Sequence, residues 1–165
     1  MFENDYQQQL MDRIIQVLEE EHWVYTQLAN TVDFSLSVPG LLRNFYITIE
    51  VFDDSALVKV SLPLGAYPDD PELMDRCMEL CVRMNMNVIQ GAFYIDTDTG
   101  AFRFGLEIDA RRHLPDPSVI LNAILVPLST AQDFACDLAA VLFNGANPAE
   151  LFTTEEEDSA AVLLN

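Results

Sequence analysis

From Asp5 to His22 the apolar residues Tyr6, Leu10, Ile14, Val17 and Leu18 stand three or four apart, with Gln8, Asp12, Gln16 and Glu19 between them. That spacing predicts an amphipathic helix with one buried stripe. Glu19, Glu20 and Glu21 oppose the negative end of the helix dipole, so the helix should fray or stop there. After Trp23 the period changes to two. Val32, Phe34, Leu36 and Val38 alternate with Asp33, Ser35 and Ser37, the pattern of a strand buried on one face. Phe45, Ile47, Ile49 and Val51 alternate with Tyr46, Thr48, Glu50 and Phe52, and Val58, Val60, Leu62 and Leu64 with Leu57, Lys59 and Ser61. With Asp53-Asp54-Ser55 as a turn, these runs predict a three-stranded antiparallel meander.

Pro68 to Pro71 breaks this pattern; Asp70 can cap a second helix and Pro71 suits its first turn. On a helical wheel Glu72, Asp75, Arg76, Glu79 and Arg83 fall within an arc of roughly 100°. The remaining arc, with Leu73, Met74, Cys77, Met78, Leu80, Cys81, Val82 and Met84, is about twice as wide as one contact with a sheet requires. The surplus needs a second surface, from the same chain or another subunit. Gly91 to Asp109 reads as a hairpin turning at Thr97-Asp98-Thr99-Gly100, with Phe93, Ile95, Phe102, Phe104, Leu106 and Ile108 on one face. Pro115-Asp116-Pro117 starts a third helix, which Pro127 should kink or divide. Ser129-Thr130-Ala131-Gln132 has the form of a capping box that would restart it, and Asn144-Gly145 is a stop signal. Residues 1–145 read as a single domain, and 146–165, with the acidic run Glu155 to Asp158, as a poorly ordered tail.

Composition narrows the function. The chain of 165 residues is 50% apolar with 6 glycines and 8 prolines, enough for one sizeable core. Its 27 acidic and 8 basic side chains give a formal charge of −19, which opposes binding to nucleic-acid phosphate or to an anionic membrane. Three cysteines without a C-x-x-C pair fit a reducing cytosol. The start MFENDYQQQL lacks the positive charge and apolar run that a signal peptide would be expected to show, and no run of about 18 uninterrupted apolar residues is present. The acids are spread over turns, helix starts and solvent faces, partly paired with arginines, which fits solubility better than a patterned anionic site.

Candidate chemistry is sparse. His22 and His113 are too few for a histidine metal cage and lie at element ends. Cys77 and Cys81 share a core-facing side of the second helix and act as small apolar residues. Asp96, Asp98 and Glu107 have the spacing of the first, third and twelfth ligands of an EF-hand loop. The glycine is displaced, however, because Gly100 is fifth and Ala101 sixth, and the flanks are strands. A tight hairpin explains these residues without a cation. The sequence offers no catalytic residues, no cofactor site and no metal site; the expectation is that the protein is not an enzyme.

The order helix, three strands, helix, two strands, helix resembles the type III secretion chaperone-like fold. The hairpin Gly91-Ala-Phe-Tyr-Ile-Asp96-Thr-Asp-Thr-Gly100-Ala-Phe-Arg-Phe104 is similar to the glycine, aromatic, aspartate, glycine, aromatic pattern of the YbjN-like bacterial proteins, which share that fold. The likeness covers residues 5–144 in element order, and in sequence the hairpin and the helix after it. It implies a small acidic cytosolic protein that binds other proteins, dimerises in many relatives and has no established catalytic residues. The expectation is an α+β domain with a five-stranded antiparallel sheet, helices mainly on one face, acting as a chaperone-like or regulatory protein-binding module. Its partner would be another protein or an extended polypeptide segment, not nucleic acid or membrane. Tyr46 and Phe52, on the outer face of the second predicted strand, are the candidate partner-binding residues. Met74, Met78 and Val82 are candidate contacts of a homodimer. The alternatives are a nucleic-acid-mimicking inhibitor of a basic protein and an unrecognised metal-dependent enzyme.

Overall fold

The computed structural model describes residues 5–37, 44–62, 70–96 and 98–152. Val38, Leu64, Pro68, Asp69, Thr97 and the Glu155–Asp158 run, which entered the sequence reading, lie outside them. The elements are α1 (Asp5–Glu20), β1 (Tyr25–Leu28), β2 (Thr31–Leu36), β3 (Phe45–Val51), β4 (Ser55–Ser61), α2 (Pro71–Met86), β5 (Ala92–Ile95), β6 (Phe102–Asp109), α3 (Pro117–Asn144) and α4 (Pro148–Leu151). The sheet is antiparallel throughout, in the order β1-β2-β3-β4-β6-β5. It has six strands rather than five. The added strand is β1, joined to β2 by the two-residue turn Ala29-Asn30, with Ala29 at φ 52°. Its sequence, Tyr-Thr-Gln-Leu, lacks an apolar alternation because three of its four residues are exposed.

Register explains why one face is dry. Val32, Ile49 and Val58 are neighbours across β2, β3 and β4, and Phe34, Ile47, Val60, Phe104 and Phe93 form the next row across five strands. These side chains are buried with Leu10, Ile14, Leu18, Leu80, Ile120, Ile124 and Leu138 of the helices in one core. On the opposite face no strand residue is buried, so the described helices pack on one side of the sheet, as their contacts with β3, β4, β5 and β6 require.

Helix ends follow local chemistry. α1 stops at Glu20, where His22 adopts φ 59° and the Trp23 N–H donates to the Leu18 carbonyl at 2.9 Å, a left-handed cap at the acidic end. Asp70 caps α2 by accepting from the Glu72 N–H at 2.9 Å, with Pro71 in the first turn. α3 is not divided at Pro127, and Ser129 is not a cap: the helix runs unbroken from Pro117 to the left-handed Gly145. Proline removes the N–H that would bond the Ala123 carbonyl. Burial of Ile120, Ile124, Ala131, Leu138 and Val141 on either side of Pro127 holds the helix together. α3 is long and apolar enough to cross a membrane by length and composition, with mean hydropathy 1.4, but here it supplies the core and packs on β4, β6, α1 and α2.

Part of the wide apolar arc of α2 meets α3, α4 and β5 within the same chain, and Met78, Val82 and Met86 stay exposed. The chain remains packed beyond residue 145: α4 contacts α2 and α3, and the Phe152 ring stacks on Phe134 at 6.3 Å.

Candidate functional site

The outer sheet face is built by strand alternation alone. Tyr46 stands between Ser35 and Ser61, and its row continues through Arg103 to Tyr94 on β5. Tyr46 is 50% exposed and Phe52, at the end of β3 where the chain turns, is 40% exposed. Burial, and the Asp33 carboxylate beside it, push the Tyr46 hydroxyl above the usual tyrosine value, while Arg103 opposes that rise. Around the aromatics the polar side chains pair among themselves. Thr48 donates to Asp33 at 2.7 Å, Lys59 binds Glu50 at 2.7 Å and Arg103 binds Asp96 at 3.0 Å. The face is therefore a largely paired polar field with two partly wet aromatic rings, in which the buried Arg103 Nε is a described side-chain donor without a hydrogen-bond partner. The alternation of β4 already places Leu57 on this face, whereas sequence reasoning missed Tyr94; the register of β5 against β6 places it there.

A second surface lies along α2. Met78 and Val82 are 53% and 63% exposed, and Met86 continues the same i, i+4 stripe. Met74 does not belong to this exposed stripe: its side chain is 8% exposed. Met78 and Val82 join Cys81, Asn85, Phe93 and Ile95 around a groove of about 410 Å³ between α2 and β5. Asn85 closes the strand edge there: its side-chain nitrogen donates to the Phe93 carbonyl at 3.0 Å and its oxygen accepts from the Phe93 N–H at 2.7 Å. A side-chain amide thus takes the place of a neighbouring strand, a device that blunts an otherwise reactive edge. Nothing in the sequence flagged Asn85, because its partner is fixed only by tertiary packing.

The remaining sequence candidates do not converge. Cys77 and Cys81 are buried and desolvation pushes both thiols up to about 11, so they are poor nucleophiles; Cys136 is exposed. Asp96 accepts from the Asp98 and Thr99 N–H groups at 3.0 and 3.1 Å, and these backbone bonds, with Arg103, hold its carboxyl below the usual range. Asp96 is thus the staple of the β5–β6 turn, while Glu107 belongs to the far half of β6. Among the described residues no three His, Cys, Asp or Glu side chains are grouped to hold a metal ion. His22 and His113 are exposed, one at a helix cap and the other before α3.

Among the described residues, a six-stranded antiparallel sheet with helices on one face and no metal-binding cluster has the architecture of the type III secretion chaperone-like fold. The solved structures agree at the level of the fold. The structure described as "Crystal structure of YbjN, a putative transcription regulator from E. coli" superposes with a TM-score of 0.54 at 10% identity, covering 79% of this chain and 90% of that one. A chain of the ExsC–ExsE complex gives a TM-score of 0.51 at 11% identity, covering 82% of this chain and 96% of that one. No curated protein matches the sequence. The family model for YbjN, described as "Putative bacterial sensory transduction regulator", matches residues 11–139; the chain belongs to the YbjN family.

Proposed function

We propose that this chain is a non-enzymatic protein-binding module, chaperone-like or regulatory in action, that engages another protein or an extended polypeptide through the outer face of its sheet. The observation that carries the reading is the face itself: no described strand residue there is buried, and Tyr46 and Phe52 are left half wet among polar groups that are mostly paired with one another. Aromatic side chains in such a setting supply contact area at low entropic cost. ExsC, whose fold this chain shares, is a chain seen in complex with ExsE, which supports a protein partner here as well. The charge of −19 favours a partner with basic groups. Met78 and Val82 are the proposed contacts of a homodimer, on a face of the molecule separate from Tyr46.

The test compares tagged wild-type chain with the double variant Tyr46→Ser/Phe52→Ser in retention of proteins from native cytosol, with circular dichroism as the check on folding. The reading expects a polypeptide held by the wild type and released by the folded variant. Equal retention by both proteins would move the site off this face.

A further inference from the structure

β6 is twice as long as its neighbour on the outer side. β5 pairs only with Phe102 to Gly105, from Ile95↔Phe102 to Ala92↔Gly105. At that point Gly91, with φ +81°, carries the chain away, and its backbone lies so close to β6 that a Cβ there would meet the Gly105 carbonyl at 2.5 Å. β6 nevertheless continues to Asp109, held on its other side by β4 through Ser55↔Asp109.

The hydrogen-bond parity of β6 can be read from both ends. The Leu62 N–H donates to the Phe102 carbonyl and the Ala110 N–H to the Asp54 carbonyl, which places the even positions of β6 toward β4, while the Asp96 N–H donates to the Ala101 carbonyl and places the odd positions toward β5. The backbone N–H and C=O groups of Glu107 and Asp109 therefore point to the side that β5 has left. No hydrogen bond from a described residue reaches them. Beside this edge lies a slot of about 330 Å³ whose apolar wall includes Leu106, Val119, Ala123 and Val126. The charged side chains lining it are Glu107 and Asp109; Asp109 is paired with Arg111 at 2.9 Å, and Glu107, although Arg111 is close enough to feel its charge, stands in no ion pair within 4 Å among the described residues. Val119 and Val126 are 50% and 46% exposed.

We infer that the open half of β6 is a strand-completing site for a short extended polypeptide segment that alternates apolar and cationic residues. The segment lies in line with β5. Its apolar side chains face Leu106, Val119 and Val126, and its Lys or Arg stands opposite Glu107, exchanging backbone hydrogen bonds with it on the sheet's outer side. The alternation follows from the pleat: residues directly opposite each other in a hydrogen-bonded pair send their side chains to the same face. Charge selects the cation, and the unpaired backbone edge selects an extended chain over a helix. The inference rests on the reading that the chain binds polypeptides, and it uses a surface distinct from Tyr46 and Phe52.

The probe is a fluorescent eight-residue peptide of alternating Val and Lys, read by anisotropy against the full chain. Two isomers carry backbone N-methyl groups, one on the Lys residues and the other on the Val residues. Methylating the Lys amides removes the groups that face β6 and should weaken binding by about tenfold or more. Methylation of the Val amides, which face solvent, should leave affinity close to that of the parent. Glu107→Lys should weaken the Val/Lys probe and strengthen a Val/Glu probe. Equal binding of the two methylated isomers, indifference to Glu107→Lys, or no binding of the parent probe would each overturn the inference. None of these results touches the retention experiment at Tyr46 and Phe52, so the two readings fail separately.

Discussion

Asn85 shows how one side chain decides the behaviour of an edge. Its amide satisfies both outward backbone groups of Phe93, so Asn85→Ala should cost about 1–3 kcal/mol in urea unfolding, because a donor and an acceptor lose their partner together. Gly91→Ala should be as severe. Its Cβ meets backbone at 2.5 Å and the Phe104 ring at 2.6 Å in a left-handed conformation, and a loss of about 3 kcal/mol is expected by the same measurement. The thiols give a chemical check. At pH 8 a thiol reagent should modify Cys136 quickly, and Cys77 and Cys81 only after urea is added. Burial raises these two pKa values to about 11, so the stability they contribute is complete below about pH 8.5, the unfolded value, and is lost as pH rises through 11. At this scale the sequence was informative where a residue's direction follows from local period. Strand alternation placed Tyr46 and Phe52 outward without the structure. Met74 lay in an apolar arc too wide to resolve, and only the contacts of α2 showed that it is buried while Met78 is not.

Elements were legible where period and punctuation agreed. α1, α2, β3, β4 and the Gly91–Asp109 hairpin all follow from spacing and from Asp70-Pro71 or Gly100. β1 was not legible because an exposed edge strand carries no buried alternation and its turn uses Ala29 in place of glycine. Ala29 at φ 52° is the strained choice there; Ala29→Gly should leave stability unchanged or raise it by up to about 1 kcal/mol, while Ala29→Val should lower it by at least that much. Proline in α3 misled for a different reason. The local rule counts the missing hydrogen bond at Ala123, whereas the outcome is set by the core contacts of Ile124 and Ala131 on either side. Thr130 adds a side-chain bond to the Val126 carbonyl at 2.9 Å within that same stretch.

For the whole molecule, charge and apolar exposure act together. A formal charge of −19 adds mutual repulsion between copies, which opposes nonspecific association through the half-exposed aromatics and the exposed α2 stripe. If α2 forms the homodimer, light scattering at physiological salt should give twice the 18.6 kDa chain mass, and Met78→Glu/Val82→Glu should return it to one copy. The binding claim itself is met most directly by photo-crosslinking in cells. A benzophenone amino acid replaces Tyr46 or Phe52 in one pair of variants and the exposed Gln9 of α1 in a control. A covalent adduct to another polypeptide is expected at positions 46 and 52 and none at position 9. Adducts of equal yield at all three positions, or none at 46 and 52, would contradict it.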